Sequence, residues 1–144
     1  MKLITANRLR CGINEALWRL GVEDAARRIA AGELTSRALV DSCLARIAEH
    51  EPRVHAWRHL DVEAALAQAE ACDGAETPAG SLHGVPIGIK DLIDTADMPT
   101  GYGSPIYDGN RPNADATCVA RLRAAGAVIL GKTVTTEFAT FKPP

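Results

Sequence analysis

The sequence predicts an α/β fold: N-terminal helices packed beside a strand–helix–strand unit. Three observations predict it. Between residues 22 and 72, alanine- and leucine-rich segments carry apolar side chains at helical spacing. Val85, Ile87 and Ile89 alternate with small residues, as a strand does. A second apolar run, Ala127 to Leu130, comes after another helix-period segment, and strand, helix, strand in this order is a βαβ unit with parallel strands.

In chain order, residues 1–21 read as a leader without a firm signal, although Leu17, Trp18 and Leu20 are placed to start packing on the first helix. Ala25, Ala26, Ile29 and Ala30 share one face of a helix over 22–31, and Gly32 stands where a C-terminal glycine belongs. Thr35 is the expected N-cap of a second helix from Ser36 to about Glu49, with Leu39, Val40, Cys43, Leu44 and Ile47 as its apolar stripe. Pro52 is expected to keep the chain out of that helix. Residues 54–60 read as a strand, with Val54, Ala56 and Arg58 on one face and His55, Trp57 and His59 on the other. Asp61 caps a third helix, about 62–72, and residues 73–80 form a loop at a break in composition.

After the strand at 85–89 comes a long irregular stretch, 94–113, holding three prolines and three glycines. Such a stretch inside a compact domain is either a functional loop or a disordered one. Asp115 is the expected cap of a helix over 116–125, which Gly126 ends. Residues 133–141 read as the start of a further helix.

Composition narrows the function. A chain of 144 residues is about one domain, and it is long enough to bury a core. Net charge is −2, and no basic stripe interleaves with aromatic residues, which argues against a nucleic-acid partner. No apolar run reaches the length of a membrane span. Cys11, Cys43, Cys72 and Cys118 are widely spaced without a C-x-x-C pair, so they read as reduced thiols of a cytoplasmic protein. The N-terminus lacks the apolar core of a signal peptide; its basic residues have the charge of a transit peptide without the serines.

Lys90 is the first candidate for chemistry. A lysine that ends a buried strand is held near low dielectric, where its neutral form is favoured and can accept a proton as a general base. The commoner reading of a strand-end lysine is a side chain in water. Residues 126–133, Gly-Ala-Val-Ile-Leu-Gly-Lys-Thr, satisfy the P-loop pattern letter for letter. The four middle residues suit a buried strand rather than a phosphate cradle, and the segment comes after a helix, so the match reads as coincidence.

His50, His55 and His59 have no fourth ligand at usable spacing, so no metal is expected. Cys118 is expected inside an apolar helix face as an inert core thiol. None of the serines, Ser36, Ser42, Ser81 or Ser104, lies in a G-x-S-x-G elbow. Gly103 and Ser104, in a glycine-rich loop, are candidates for contacting a substrate, with a turn serine as the commoner reading of Ser104.

Residues 81–91, Ser-Leu-His-Gly-Val-Pro-Ile-Gly-Ile-Lys-Asp, resemble the lysine motif of the amidase signature family. Met98-Pro99-Thr100, Gly103-Ser104-Pro105, Asp115-Ala116-Thr117, the run from Arg121 to Thr133 and Glu137-Phe138-Ala139 resemble it in order, over roughly residues 22–141. The resemblance implies a mixed-sheet α/β/α fold, with residues 22–144 as the N-terminal part of the domain. It implies hydrolysis of a carbon–nitrogen amide bond, or ammonia release from glutamine, by a Ser–cis-Ser–Lys triad in which Lys90 matches the lysine.

The substrate implied is a small-molecule amide. No metal or organic cofactor, nucleic acid or membrane is implied, and a homo-oligomer is compatible with it. In that family both serines and the oxyanion-hole amides lie in a Gly/Ser-rich segment beyond Glu-Phe-Ala. Pro144 precedes any such segment, so the chain is expected to be inactive alone. The alternative is a non-catalytic remnant acting as a binding module.

Overall fold

The computed structural model describes residues 16–140. Its elements are helix α1 (Val22–Ala30), helix α2 (Ser36–Val54), strand β1 (Trp57–Leu60), helix α3 (Val62–Asp73), strand β2 (Pro86–Lys90), helix α4 (Thr117–Ala124) and strand β3 (Val128–Thr133). The strands form one mixed sheet of order β1-β3-β2. β2 and β3 run parallel across α4, as the expected βαβ unit requires, and β1 joins β3 antiparallel.

Two apolar clusters sandwich the sheet. Val128 and Leu130 of β3 pack with Val40 of α2 and with Ala65 and Ala69 of α3. On the other face, Ile89 of β2 and Ile129 of β3 pack with Val119 of α4 and with Met98 from the loop after β2. Val40, Val119 and Val128 are completely buried, and burial of a side chain this size stabilises by about 1.5–3 kcal/mol. A third cluster joins Leu17 to α1 and α2 through Ala25, Leu34 and Leu39. Residues just before α1 are therefore part of the packed body. Trp18 donates its backbone N–H to Ser42 Oγ at 3.2 Å, and the guanidinium groups of Arg19 and Arg46 both lie over its ring. Among the described residues, no helix is long and apolar enough to cross a membrane.

The caps explain where the helices start. Thr35 accepts from Ala38 N, as expected, and Asp61 accepts from Ala64 N. The N-terminus of α2 has a further partner from far along the chain. The Asp73 carboxylate accepts from Ser36 N at 2.7 Å and from Arg37 N at 2.9 Å. Three orphan amides of one helix end are thus satisfied by two side chains.

Several local expectations are corrected. α2 runs through Pro52 to Val54. The proline sits in the last turn, and the carbonyl it leaves without an N–H belongs to exposed Ala48. The strand therefore starts only at Trp57. His55 is left-handed at φ 51° and ends the helix, and the Glu51 carboxylate accepts from Ala56 N and Trp57 N. Trp57 and Leu60 pack on the same face because a bulge between Trp57 and His59 breaks the alternation.

Asp115 does not cap α4. It accepts from Ala96 N and from Arg123 Nε, tying the loop to the helix flank. Cys118 is exposed rather than in the core, since Val119 takes the inward position. The expected helix after Thr133 is only a 3₁₀ turn over Glu137–Ala139, with left-handed backbone at Phe138 and Ala139. Phe141 and most of the leader lie outside the described residues.

Candidate active site

Lys90 ends β2. Ile87 and Ile89 of that strand face the α4 side, so alternation turns Gly88 and Lys90 to the opposite face. There a side chain at Gly88 would meet the Trp57 ring at 3.0 Å. Lys90 itself is exposed, and its side chain makes no hydrogen bond or ion pair among the described residues. The expected burial at this strand end is therefore corrected. β2 is an outer strand of the described sheet, and its last residue is exposed. What fixes Lys90 is its backbone: its carbonyl accepts from Ile93 N at 3.0 Å, closing a tight turn.

A buried, desolvated lysine does exist beside this turn, and it is Lys132. It is completely buried in β3. Its ammonium donates to Ile93 O at 2.7 Å, to Thr95 Oγ1 at 3.3 Å and to Thr100 Oγ1. Asp91, also buried, stands 3.7 Å away as counter-charge. Three donors meet three acceptors, so the ammonium is saturated. Burial pushes its pKa down from the ordinary value, against the pull of the Asp91 carboxylate.

Asp91 is equally engaged: its carboxylate accepts from Gly101 N, its N–H donates to Thr133 O and its carbonyl accepts from Tyr102 N. The P-loop look-alike is thus a strand with a buried lysine. The Lys132, Thr95 and Thr100 cluster went unread in the sequence. An apolar run ending in Lys-Thr beside two loop threonines was its only signal.

A cleft of about 510 Å³ opens over the loop side of this cluster. Asp91, Gly101, Gly103, Ser104 and Thr135 line it, and Arg58 and Asp108 pair at 3.0 Å across it. Gly103 is left-handed at φ 68°, and a Cβ there would lie 2.7 Å from Thr136 O, so only glycine fits. Ser104 is buried. Its hydroxyl donates to Glu137 Oε1 at 2.7 Å and caps the short turn Pro105–Tyr107.

Edge-on contacts join Tyr102, Tyr107 and Phe138 nearby. The Tyr102 hydroxyl donates to Asp94 at 2.6 Å, which pushes its pKa up. The loop 94–113 is therefore an ordered one. The structure brings Gly103 and Ser104 together with Asp91, but Lys90 does not line their cleft.

The remaining candidates have structural positions. Ser36 donates to Gly84 O at 2.8 Å in the interior, and Ser42 accepts from Trp18 N. His55 forms the left-handed end of α2, and among the described residues no three His, Cys, Asp or Glu side chains gather into a metal-binding group. Cys43 and Cys72 are free thiols whose pKa burial raises, which keeps them unreactive.

Comparison with known proteins places this geometry among relatives. A family model described as Amidase matches residues 38–142. The chain is 48% identical over 123 residues to one subunit of the glutamyl-tRNA(Gln) amidotransferase of Chloroflexus aggregans, covering 83% of this chain and 25% of that protein. The structure superposes on peptide amidase from Stenotrophomonas maltophilia with a TM-score of 0.78 at 40% identity, covering 86% of this chain and 26% of that one. It superposes on a fatty acid amide hydrolase with a TM-score of 0.79 at 28% identity, covering 83% of this chain and 22% of that one. The chain spans about a quarter of the length of these relatives.

Proposed function

Since the chain belongs to the amidase family, we propose that it supplies the base of an amide-hydrolysing Ser–cis-Ser–Lys site, with Lys90 as that base. The observation that carries this is the contrast between the two lysines at the ends of β2 and β3. Lys132 is sealed in and spends all three of its protons on fixed acceptors. Lys90 is open and unpartnered among the described residues, so it is free to exchange a proton with an incoming group.

In the reaction the resemblance implies, a serine oxygen bonds to the amide carbon, and its proton passes through the cis serine to the lysine. The carbon–nitrogen bond then breaks and the amine leaves with that proton. A lysine works as a base when neutral, which desolvation favours. The serine-bearing segment would have to supply that covering as well as the nucleophile. Ser36, Ser42 and Ser104 are each engaged in structural hydrogen bonds, and Ser81 lies exposed in the turn that precedes β2, outside any nucleophile elbow. We therefore expect these 144 residues to be inactive by themselves.

The substrate is a small amide, in keeping with the peptide amidase and fatty acid amide hydrolase that share this fold. Gly103 and Ser104 shape the cleft on the neighbouring face and are proposed to border the substrate there. The reading asks for no metal or organic cofactor. The free thiols of Cys43, Cys72 and Cys118 support a cytoplasmic location.

The test is ammonia release from glutamine and from peptide amides by the natural protein, with Lys90→Ala beside it. Loss of a base should lower kcat by about 10²–10⁴. Wild-type turnover in Lys90→Ala refutes the assignment. Lys90-dependent turnover by the isolated 144-residue chain refutes the expected inactivity.

A further inference from the structure

We propose that Lys132 is a positioning residue for Lys90, holding it through the backbone of the Lys90–Ile93 turn. The exposed Lys90 side chain makes no hydrogen bond or ion pair among the described residues, so its placement depends on where the end of β2 is held. That end is held in two steps. Ile93 N donates to Lys90 O at 3.0 Å, and Ile93 O accepts from the Lys132 ammonium at 2.7 Å. Each bond fixes one end of the same peptide segment, so displacing the ammonium frees the residue that closes the turn.

The other contacts of Lys132 act on the same stretch of chain. Thr95 and Thr100 both accept from it, drawing the loop after the turn back onto β3. The Thr95 hydroxyl donates to Met98 O, so its oxygen faces the ammonium as an acceptor. Asp91 lies 3.7 Å away and uses its carboxylate to hold Gly101 N. An apolar side chain of similar length would satisfy none of these acceptors and would leave the Asp91 charge buried without its partner. The β2–β3 ladder, from Pro86↔Val128 to Lys90↔Thr133, is made by backbone groups and does not need the ammonium. Lys132 thus organises the loop without being required for the strand pairing.

The catalytic consequence rests on the amidase reading; the anchoring does not. The experiment is amide hydrogen exchange on the natural protein and on Lys132→Met, followed by steady-state amide hydrolysis on both. In Lys132→Met, exchange at Ile93, Gly101 and Tyr102 should quicken by about tenfold or more while the β2–β3 ladder amides keep their protection. kcat should fall by roughly a hundredfold with KM near wild type, the scale of a misplaced catalytic group. Thr100→Val keeps the shape and removes one acceptor. It should give the same pattern more weakly, and it stands in if Lys132→Met does not fold.

Equal quickening of loop and ladder amides would mean plain destabilisation and would overturn the proposal. So would unchanged loop exchange, or a freed loop with wild-type kcat. If the natural protein hydrolyses no amide, the amidase reading falls, and exchange at Ile93 alone decides whether Lys132 holds the turn.

Discussion

Gly103→Ala is the sharpest test of the cleft geometry, because Gly109 supplies a matched control in the same loop. Both glycines are left-handed, at φ 68° and φ 75°. A Cβ at Gly109 meets nothing within 4 Å, whereas at Gly103 it falls 2.7 Å from Thr136 O and 2.8 Å from Thr135 O. The backbone penalty for an L-residue there is about 1–2 kcal/mol, partly offset by about 0.4–1 kcal/mol from a stiffer unfolded chain. Both variants share these contributions, leaving roughly 0–1.6 kcal/mol for Gly109→Ala.

Only Gly103→Ala adds overlap. The opposing atoms are backbone carbonyls of a segment held by Phe138 N to Tyr102 O at 2.9 Å, so they cannot swing away as a side chain would. Overpacking of this kind costs about 1–3 kcal/mol. The expected difference between the two variants is that same amount. Urea unfolding at unchanged m-value measures it. Equal midpoints for Gly103→Ala and Gly109→Ala would refute the close approach, and with it this wall of the cleft.

Two further outcomes are expected from other contacts. Asp73→Ala removes the acceptor from Ser36 N and Arg37 N and should cost about 1–2 kcal/mol in urea unfolding, with frayed exchange confined to the first turn of α2; loss spread evenly over the helix would contradict the capping role. Burial lowers the Lys132 pKa, so the native state releases this proton before the unfolded chain does, and its contribution to stability rises with pH in the window below the ordinary value of 10.5. Tyr102, Cys43 and Cys72 have raised values and oppose this, losing stability as pH rises. The difference in urea midpoint between wild type and Lys132→Met cancels them; it should move in favour of wild type from about pH 8 to about pH 11, and a shift the other way would show that pairing with Asp91 outweighs desolvation.

The helices and the parallel pair were legible because their signals are local. Thr35 and Asp61 cap where the sequence puts them, and the apolar stripe of α2 packs where its spacing says. Long-range partners were not legible. Asp73 reads as the first residue of a loop, yet it closes the N-terminus of α2 from 36 and 37 positions along the chain. Asp115 has the right spacing for a cap, but Ala96 N and Arg123 compete for its carboxylate and win. Pro52 breaks a helix only where the lost hydrogen bond matters, and in a last turn facing solvent it matters little.

The lysines show why motif and environment came apart. The motif points to Lys90, and the reasoning about desolvation described Lys132. Strict alternation would set Lys132 on the same face as Val128 and Leu130, toward α2 and α3. The register slips by one between Ile87↔Ile129 and Gly88↔Gly131, and this bulge turns Lys132 to the face of Ile89 and the loop. Gly131 permits the slip, since a Cβ there would lie 2.2 Å from His59 O in the neighbouring strand. Gly131 thus lets Lys132 be sealed in on the loop side of the sheet, while Lys90 stays exposed at the end of β2. This bulge is set by partners 42 and 43 positions apart, in the pairings Ile87↔Ile129 and Gly88↔Gly131, so no window along the sequence could show it. In the proposed reading the buried lysine holds the turn and the open one presents its amine at the end of it, the division of labour expected where a reactive group must be mobile in its proton but fixed in its position.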